Sequence, residues 1–246
     1  MDYQLDQYNT FAELYNRFMN PSLYEQWKEY ITNRTAITGA KILDLGCGAG
    51  HLGVRLAKEG AQYVGLDLSE EMLTQAATKQ QEQNVAFPLV QGDMRDLDGF
   101  GLFDGIVSFC DSLCYLTNDG DWLRVFSEVF NHLTDSGIFL FDIHSLYQMA
   151  QYDGFSYHDI EADQILLWDS FSGDVPYSCE HYLTIMKSMD NKIYQRFDEV
   201  HVQRTYPIEV VIEQLKKAGF SKINVIAEFG QDVKAESRRL FFEVRK

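Results

Sequence analysis

Cysteine and proline are both scarce in this chain, at 4 residues each among 246. Cys47, Cys110, Cys114 and Cys179 are too few in so long a chain to make a disulfide framework, which points to a reducing compartment, the cytoplasm. They do not make a zinc site either. Cys110 and Cys114 are four apart, but no second pair and no histidine cluster completes a ligand set, so no metal is expected. Long apolar runs are missing, and nothing approaches the roughly 18 residues a membrane span requires. The opening MDYQLDQYNTFAELYNRFMN has no basic start followed by an apolar stretch, so it does not read as a secretory signal. Basic residues are also few. Lys and Arg number 21 against 37 Asp and Glu, a formal charge of −16, and this argues against the phosphate backbone of nucleic acid as the partner. What remains is an ordinary globular composition, 46% hydrophobic and 24% charged, of a length that suits one large domain or one domain with an insertion.

Residues 8–31 carry Phe11, Leu14, Tyr15 and Phe18, then Tyr24, Trp27 and Ile31, at spacings of three and four. That periodicity predicts two short helices broken at Asn20-Pro21, the first over Tyr8–Met19. From 41 to 144, apolar runs alternate with amphipathic ones. Lys41–Leu45, Tyr63–Leu68, Ala86–Gln91, Phe103–Phe109 and Gly137–Ile143 read as buried strands. Between them His51–Lys58, Ser69–Gln83 and Asp121–Leu133 read as helices. Strictly apolar strands alternating with helices predict an α/β fold, a parallel sheet covered on both faces. After about residue 146 the texture becomes aromatic and β-branched. Gln164–Phe171, Ser178–Met189 and Lys192–Thr205 read as a three-stranded antiparallel meander. Helix returns over Ile208–Lys217 behind Pro207 and ends at Ala218-Gly219, followed by strands at Lys222–Glu228 and Arg238–Val244. The expected division is residues 1–145 with 206–246 as one domain, and 146–205 as an antiparallel subdomain inserted into it.

Lys41-Ile-Leu-Asp-Leu-Gly-Cys-Gly-Ala-Gly50 is a strand that runs into a glycine turn and then a helix. A lone glycine loop is weak evidence. The dinucleotide fingerprint needs glycine at the sixth position, where this chain has His51. Asp44, just ahead of the loop, discriminates better. A carboxylate there repels a pyrophosphate and attracts an ammonium or sulfonium, so the charge favours a cationic ligand.

Asp44-Leu-Gly-Cys-Gly-Ala-Gly50 resembles motif I of the class I S-adenosylmethionine-dependent methyltransferases. Val64-Gly-Leu-Asp-Leu-Ser69, Gln91-Gly-Asp-Met-Arg-Asp96 and Phe103-Asp-Gly-Ile-Val-Ser108 follow in the family's order. The ordered set, over about 38–145 plus 207–246, is far more specific than any one motif. Carried by these motifs of residues 44–108, the resemblance implies a Rossmann-like, seven-stranded methyltransferase sheet of order 3-2-1-4-5-7-6, here with an inserted antiparallel β meander. It implies S-adenosyl-L-methionine as cofactor. Gly46, Cys47, Gly48 and Gly50 would form the loop beneath its methionine part, with Asp44 near the ammonium. Asp67 would accept from both ribose hydroxyls, Leu68 and Met94 would sandwich the adenine, and Asp93 would accept from its amino group. Phe109 or Cys110 would turn a backbone carbonyl toward the ammonium. The N-terminal segment and the insert resemble a small bacterial subgroup.

Methyl transfer from a sulfonium is an in-line displacement in which positioning supplies much of the acceleration, and a base matters when the nucleophile must lose a proton. Ligands of such sheets sit beyond the carboxyl ends of the strands. This makes Asp111 and Tyr115, after the fourth strand, and His144, after the fifth, the candidates to orient or deprotonate an acceptor; Ser112 belongs to the same loop. His181 and His201 lie on the meander with no direction assigned. Asp119, Asp121 and Glu128 read as helix-start and solvated charges. Trp168, Phe171, Tyr182 and Tyr194 suggest an apolar wall over the substrate, with Arg196 or Arg204 available to an anionic acceptor; packing on the sheet or against a second subunit, as in a homodimer, is the competing use of the same residues. The expected activity is methylation of a small molecule at nitrogen or oxygen. RNA or protein methylation, a cofactor-binding module without catalysis, and an NAD-dependent oxidoreductase are the alternatives, the last opposed by His51 and Asp44.

Overall fold

The computed structural model describes residues 21–161, 163–190 and 193–246. The expected Tyr8–Met19 helix lies outside them. Helix α1 (Pro21–Thr32) starts at the proline that the sequence marked as a break. Then come β1 (Lys41–Leu45), α2 (His51–Lys58), β2 (Gln62–Asp67), α3 (Glu70–Gln83), β3 (Leu89–Gln91) and β4 (Phe103–Ser108). A 3-10 turn (Ser112–Tyr115) leads to α4 (Asp121–His132) and β5 (Leu133–His144). The chain closes with α6 (Ile208–Ala218), β10 (Lys222–Ala227) and β11 (Arg239–Arg245). Between β5 and α6 lie a short helix α5 (Leu146–Gln151) and strands β6 (Phe155–Ile160), β7 (Gln164–Ser172), β8 (Ser178–Asp190) and β9 (Ile193–Arg204).

The large sheet has seven strands in the order β10-β11-β5-β4-β1-β2-β3. This is the expected order, with β1 to β5 parallel and β11 antiparallel to β5 through pairs such as Leu240↔Ile143 and Phe242↔Phe141. Alternation along each strand feeds two cores. Leu43, Leu45, Ile106, Phe139 and Phe141 point to one face, where α4 and α6 bring Trp122, Phe126 and Leu215. Ile42, Val107, Ile138 and Leu140 point to the other, against Trp27, Tyr30, Ile31 and Leu52 of α1 and α2. Helix α4 buries Trp122, Val125, Phe126 and Val129, the i, i+3, i+4, i+7 face of an amphipathic helix. The strand expected at Ala86–Gln91 shrinks to Leu89–Gln91. Pro88 has no N–H to give a ladder, and the Gln80 side chain bonds the Phe87 backbone from outside the sheet.

The meander is a four-stranded sheet, not three-stranded. The added strand β6 pairs antiparallel with β7, Tyr157 opposite Trp168. Its sequence FSYHDI carries no clean alternation, because an edge strand with mostly exposed side chains has no apolar face to declare. The two ends of this excursion are pinned together where Thr205 Oγ1 donates to the His144 carbonyl at 2.6 Å. Among the described residues, no helix is long and apolar enough to cross a membrane.

Candidate active site

A cavity of about 690 Å³ opens beyond the carboxyl ends of β1, β2 and β4, and its wall starts at the glycine turn. Gly46 sits at φ 77°, and a Cβ there would come within 2.7 Å of Ser112. Gly50, at φ 72°, would meet Ala76 at 2.9 Å; it lets α2 pack on α3 and does not itself line the cavity. The turn is thus shaped so that Gly46 and Gly48 present bare backbone to a ligand.

Asp44 is buried on the wall, and Tyr63 donates its hydroxyl to it at 2.5 Å. Burial pushes its pKa up to about 7, with Asp67 adding to the rise and the Tyr63 bond opposing it. A cation beside Asp44 would relieve that burden. Asp67 closes β2. The backbone N–H of Gly48 donates to Oδ2 at 2.7 Å and that of Ser69 to Oδ1 at 2.9 Å, which fixes the carboxylate and leaves each oxygen a further lone pair. Burial raises the Asp67 pKa, and these backbone bonds resist the rise. Ser69 also caps α3 by accepting from Met72 N–H at 3.1 Å. Leu68 is an isoleucine-sized apolar side chain left 69% exposed on the cavity rim, and Met94 lines the same end. Asp93 is there too, but Arg95 holds both its oxygens through Nε at 3.0 Å, and the Arg95 bonds lower its pKa. Arg95 reaches on to Asp121 at 2.9 Å. Asp121 opens α4, as the sequence suggested, but it is a covered wall residue and not a solvated charge. Cys47 lines the cavity with its thiol against Gly65.

At the far end, Phe109 and Cys110 join the wall. Cys110 and Asp111 both adopt left-handed backbone, φ 59° and 53°, in succession. Two non-glycine residues in that region are a strained turn that its surroundings must enforce. The enforcement is visible. Asp142 accepts the Asp111 N–H at 2.8 Å, and the Asp111 carboxylate meets Arg239 at 2.8 Å, Gln203 at 2.8 Å and His144 Nε2 at 3.2 Å. Arg239 also binds Asp142 at 2.9 Å, and Trp27 donates to Asp142 at 2.7 Å. Burial alone would raise the Asp111 pKa, but His144 and Arg239 hold it far below the usual carboxylate range. Asp111 and His144, separate candidates in the sequence, are in contact with each other; both are buried and neither lines the cavity. Tyr115 alone of the three lines the cavity, 49% exposed.

The small sheet contributes side chains that the sequence left without direction. Glu199 and His201 of β9 face the cavity, and His201 bridges Glu199 at 2.9 Å and the Tyr115 hydroxyl at 3.4 Å. His181 goes elsewhere, buried between Ser170, Trp168 and Cys179, where burial lowers its pKa to about 4. The aromatic wall does not form. Trp168 packs on Tyr152 and Phe155, while Phe171, Tyr182 and Tyr194 are exposed away from the cavity. Arg204 clasps the Thr117 carbonyl and Asp119, and Arg196 pairs with Asp198, so neither reaches the cavity. Tyr24 and Trp27 of α1 complete the rim. Among the described residues no cluster of His, Cys, Asp and Glu could hold a metal ion.

The bare glycine backbone, the fixed Asp67 carboxylate, the exposed Leu68 and the buried Asp44 that wants a cation together fit S-adenosylmethionine, which is cationic at both ammonium and sulfonium. Comparison with known proteins agrees. Residues 42–137 match the family model described as a methyltransferase domain. The Bacillus subtilis (strain 168) protein YqeM, which carries a methyltransferase name, is 40% identical over 97% of this chain and 97% of its own. A similarly named protein of Geobacillus sp. (strain WCH70) is 38% identical over 97% and 99%. The crystal structure of an S-adenosylmethionine-dependent methyltransferase from Clostridium acetobutylicum ATCC 824 superposes with a TM-score of 0.86 at 27% identity, covering 97% of this chain and 98% of that one. The sugar N-methyltransferase KedS8 from Streptoalloteichus sp. ATCC 53650 shares the fold, TM-score 0.76, at 22% identity over 95% and 92%. The chain belongs to the class I S-adenosylmethionine-dependent methyltransferases.

Proposed function

We propose that this enzyme methylates a small molecule at nitrogen or oxygen. The observation that carries the reading is the cavity's charge and form. Its wall holds the carboxylates of Asp44, Asp67, Glu71, Asp93, Asp121 and Glu199, against one arginine, Arg95, which is committed to Asp93 and Asp121. A concave, anionic cleft of this size suits a compact neutral or cationic acceptor and opposes a polyanion such as RNA.

Within that reading the cofactor supplies an activated methyl group on sulfur. The chain's own residues do the rest. Asp67 accepts from the ribose, Leu68 and Met94 flank the base, and Asp93 accepts from its amino group while Arg95 fixes it. Asp44 and the Gly46–Cys47–Gly48 turn receive the methionine part, opposite the Phe109 and Cys110 backbone. Asp111, Asp142, His144 and Arg239 act as positioning residues that hold the strained Cys110-Asp111 turn. The chain from 146 to 205 closes the acceptor end through Glu199 and His201.

Incubation of the protein with labelled S-adenosylmethionine and cell extract, split into small-molecule, RNA and protein fractions, tests this. Label should enter the small-molecule fraction. Label confined to RNA or protein, or to none, overturns the reading. Asp67→Ala should weaken cofactor binding by roughly ten- to a hundredfold in calorimetry, since a hydrogen bond to a charged group contributes about 1.5–3 kcal/mol.

A further inference from the structure

The wall offers several carboxylates that could take a proton, and those outside β9 are committed elsewhere. Asp44 and Asp67 belong to the cofactor motifs. Asp93 and Asp121 share Arg95. Glu71 accepts the Ser69 hydroxyl at 2.9 Å, beside β2 and away from the acceptor end. That leaves the pair carried by β9. Residues 199 and 201 are two apart on a strand, so their side chains leave the same face, and β9 lies against the turn that carries Tyr115. Both are largely covered, at 22% and 18% exposure, though both reach the cavity.

We propose that His201, oriented by Glu199, is the base that receives the acceptor's proton, with the Tyr115 hydroxyl as the group between them. This rests on the reading of the protein as an active methyltransferase. A carboxylate only accepts hydrogen bonds, so Glu199, 2.9 Å from Nε2, selects the tautomer with hydrogen on Nε2. The lone pair is then on Nδ1, which faces the Tyr115 hydroxyl 3.4 Å away. A carboxylate that fixes the tautomer of a histidine and stabilises the imidazolium it becomes is the logic of the Ser-His-Asp arrangement, used here without a serine. As the acceptor's lone pair bonds to the methyl carbon, the S–CH3 bond breaks and leaves its electron pair on sulfur. The acceptor's N–H or O–H proton passes to the Tyr115 oxygen while the Tyr115 proton moves to Nδ1. The imidazolium–carboxylate pair then releases that proton to solvent. Atoms and charge balance with no further reactant. The acceptor class follows: one that carries a hydrogen on its nucleophilic atom, a primary or secondary amine or a hydroxyl, and not a tertiary amine or a thioether.

Three measurements test the assignment on the intact protein. Two-bond proton–nitrogen NMR of the free protein should show neutral His201 protonated on Nε2; a proton on Nδ1 overturns the proposal. With tritium-labelled S-adenosylmethionine and the deproteinised small-molecule extract of cells as probe, His201→Ala should lower incorporation by about a hundredfold or more. Added imidazole should restore part of that rate, while cofactor affinity in calorimetry stays within about threefold. A folded His201→Ala protein that labels as fast as the parent, or a loss that imidazole does not relieve and that tracks lost cofactor binding, overturns the role of His201 alone. A parent protein that binds cofactor and labels nothing overturns the proposed function, and this one with it. If His201→Ala fails to fold, His201→Gln keeps a polar group of similar size and should show the same loss with cofactor binding intact. Glu199→Gln and Tyr115→Phe should each lower the rate at saturating cofactor by less than His201→Ala.

Discussion

Strands β1, β4 and β5 of the large sheet bury side chains on both faces, whereas the four antiparallel strands cover one face and leave the other to solvent. The difference extends to what fills the covered face. The large sheet lies between two extensive apolar clusters. The small one has a cluster of Leu166, Ile185 and Phe197, and beside it a buried polar set in which Ser170, Cys179 and Gln203 all reach His181. Apolar burial is non-directional and builds a scaffold from many interchangeable contacts. A buried polar set must be satisfied atom by atom, so it specifies geometry more than it adds stability. In this enzyme the first kind of sheet holds the cofactor motifs, and the second delivers Glu199 and His201 to the far side of the same cavity. The two meet at Asp111, where a residue of the large sheet's β4 turn accepts from Gln203 of β9.

The largest effect should come from the double-faced sheet. Phe141 is fully buried, stacked at 4.7 Å on Phe242 and 4.6 Å on Phe139. Phe141→Ala should cost about 3–5 kcal/mol in denaturant unfolding, the range for an aromatic removed from a tight core. A loss below about 1 kcal/mol would mean that the sheet's two-sided packing is not what stabilises it.

Next is the junction. Asp111→Ala leaves Arg239, His144 and Gln203 facing an empty site, and removal of one partner from a buried ionic network typically costs about 3 kcal/mol or more. The same substitution should weaken cofactor binding, because the left-handed Cys110-Asp111 turn keeps its backbone bond to Asp142 but loses the Arg239, Gln203 and His144 contacts. Urea titration with calorimetry on the surviving folded protein reads both. A stability loss with cofactor affinity unchanged would detach the network from the cavity and leave it purely structural.

Most of the large sheet was legible in the sequence, and for a physical reason. Its strands are mostly apolar, α4 carries an unbroken i, i+3, i+4 face, and the turn residues at Gly46, Asp67 and Asp93 come in a fixed order. The small sheet was legible in outline only. A one-residue shift in register turns every side chain of a strand to the other face, and nothing local told which face of β7 to β9 was inward. That is why Phe171, Tyr182 and Arg196 were expected at the cavity and stand outside it. A usable signal was present in β9, where Phe197, Glu199, His201 and Gln203 fall at period two: a histidine and two polar partners in line with a buried phenylalanine mark a covered face, not a solvated one. Asp111 and His144 were found because they follow strands β4 and β5, but strand ends alone do not tell the wall from what stands behind it.

The carboxylate of β1 gives a smaller, pH-dependent effect. Burial raises the Asp44 pKa in the folded protein to about 7, above the ordinary value near 4 in the unfolded chain. For an acid shifted this way the stability it contributes is fully present below about pH 4, where it is protonated in both states. It is lost as pH rises toward about 7 and the folded protein must carry the buried charge. A cationic cofactor reverses the balance by favouring the ionised form. Affinity for S-adenosylmethionine should therefore rise with pH by up to about tenfold per unit between about pH 5 and 7, then level off, with a proton released on binding. Calorimetry in buffers of different ionisation enthalpy measures both, and Asp44→Asn should flatten the dependence. An affinity independent of pH over that interval would show that no cation is received at Asp44.

The smallest effect belongs to the outward face of the small sheet, and its smallness is the test. Phe171 and Tyr182 lie 6.1 Å apart there, 51% and 43% exposed, with Val200 and Val202 beside them on β9 at 57% and 38%. By register Tyr182 is opposite Val200, and Phe171 is opposite Glu180, so these side chains share one face and point away from Ile185, Phe197 and His201. If the small sheet is one-sided, this face contributes neither to the core nor to the cavity. Phe171→Ser should then change unfolding free energy by no more than about 0.5 kcal/mol at dilute and concentrated protein alike, the usual bound for a surface substitution. Methyl transfer should be unaltered, since Phe171 does not line the cavity. A loss of several kcal/mol that shrinks as the protein is diluted would be the signature of a covered face, because a contact between copies stabilises by mass action. That result would return these aromatics to the use the sequence left open, a homodimer, and would make the small sheet two-sided like the large one. A loss that does not vary with concentration would instead mean that the exposed aromatics stabilise the antiparallel strands themselves, and the contrast between the two sheets would narrow to one of degree.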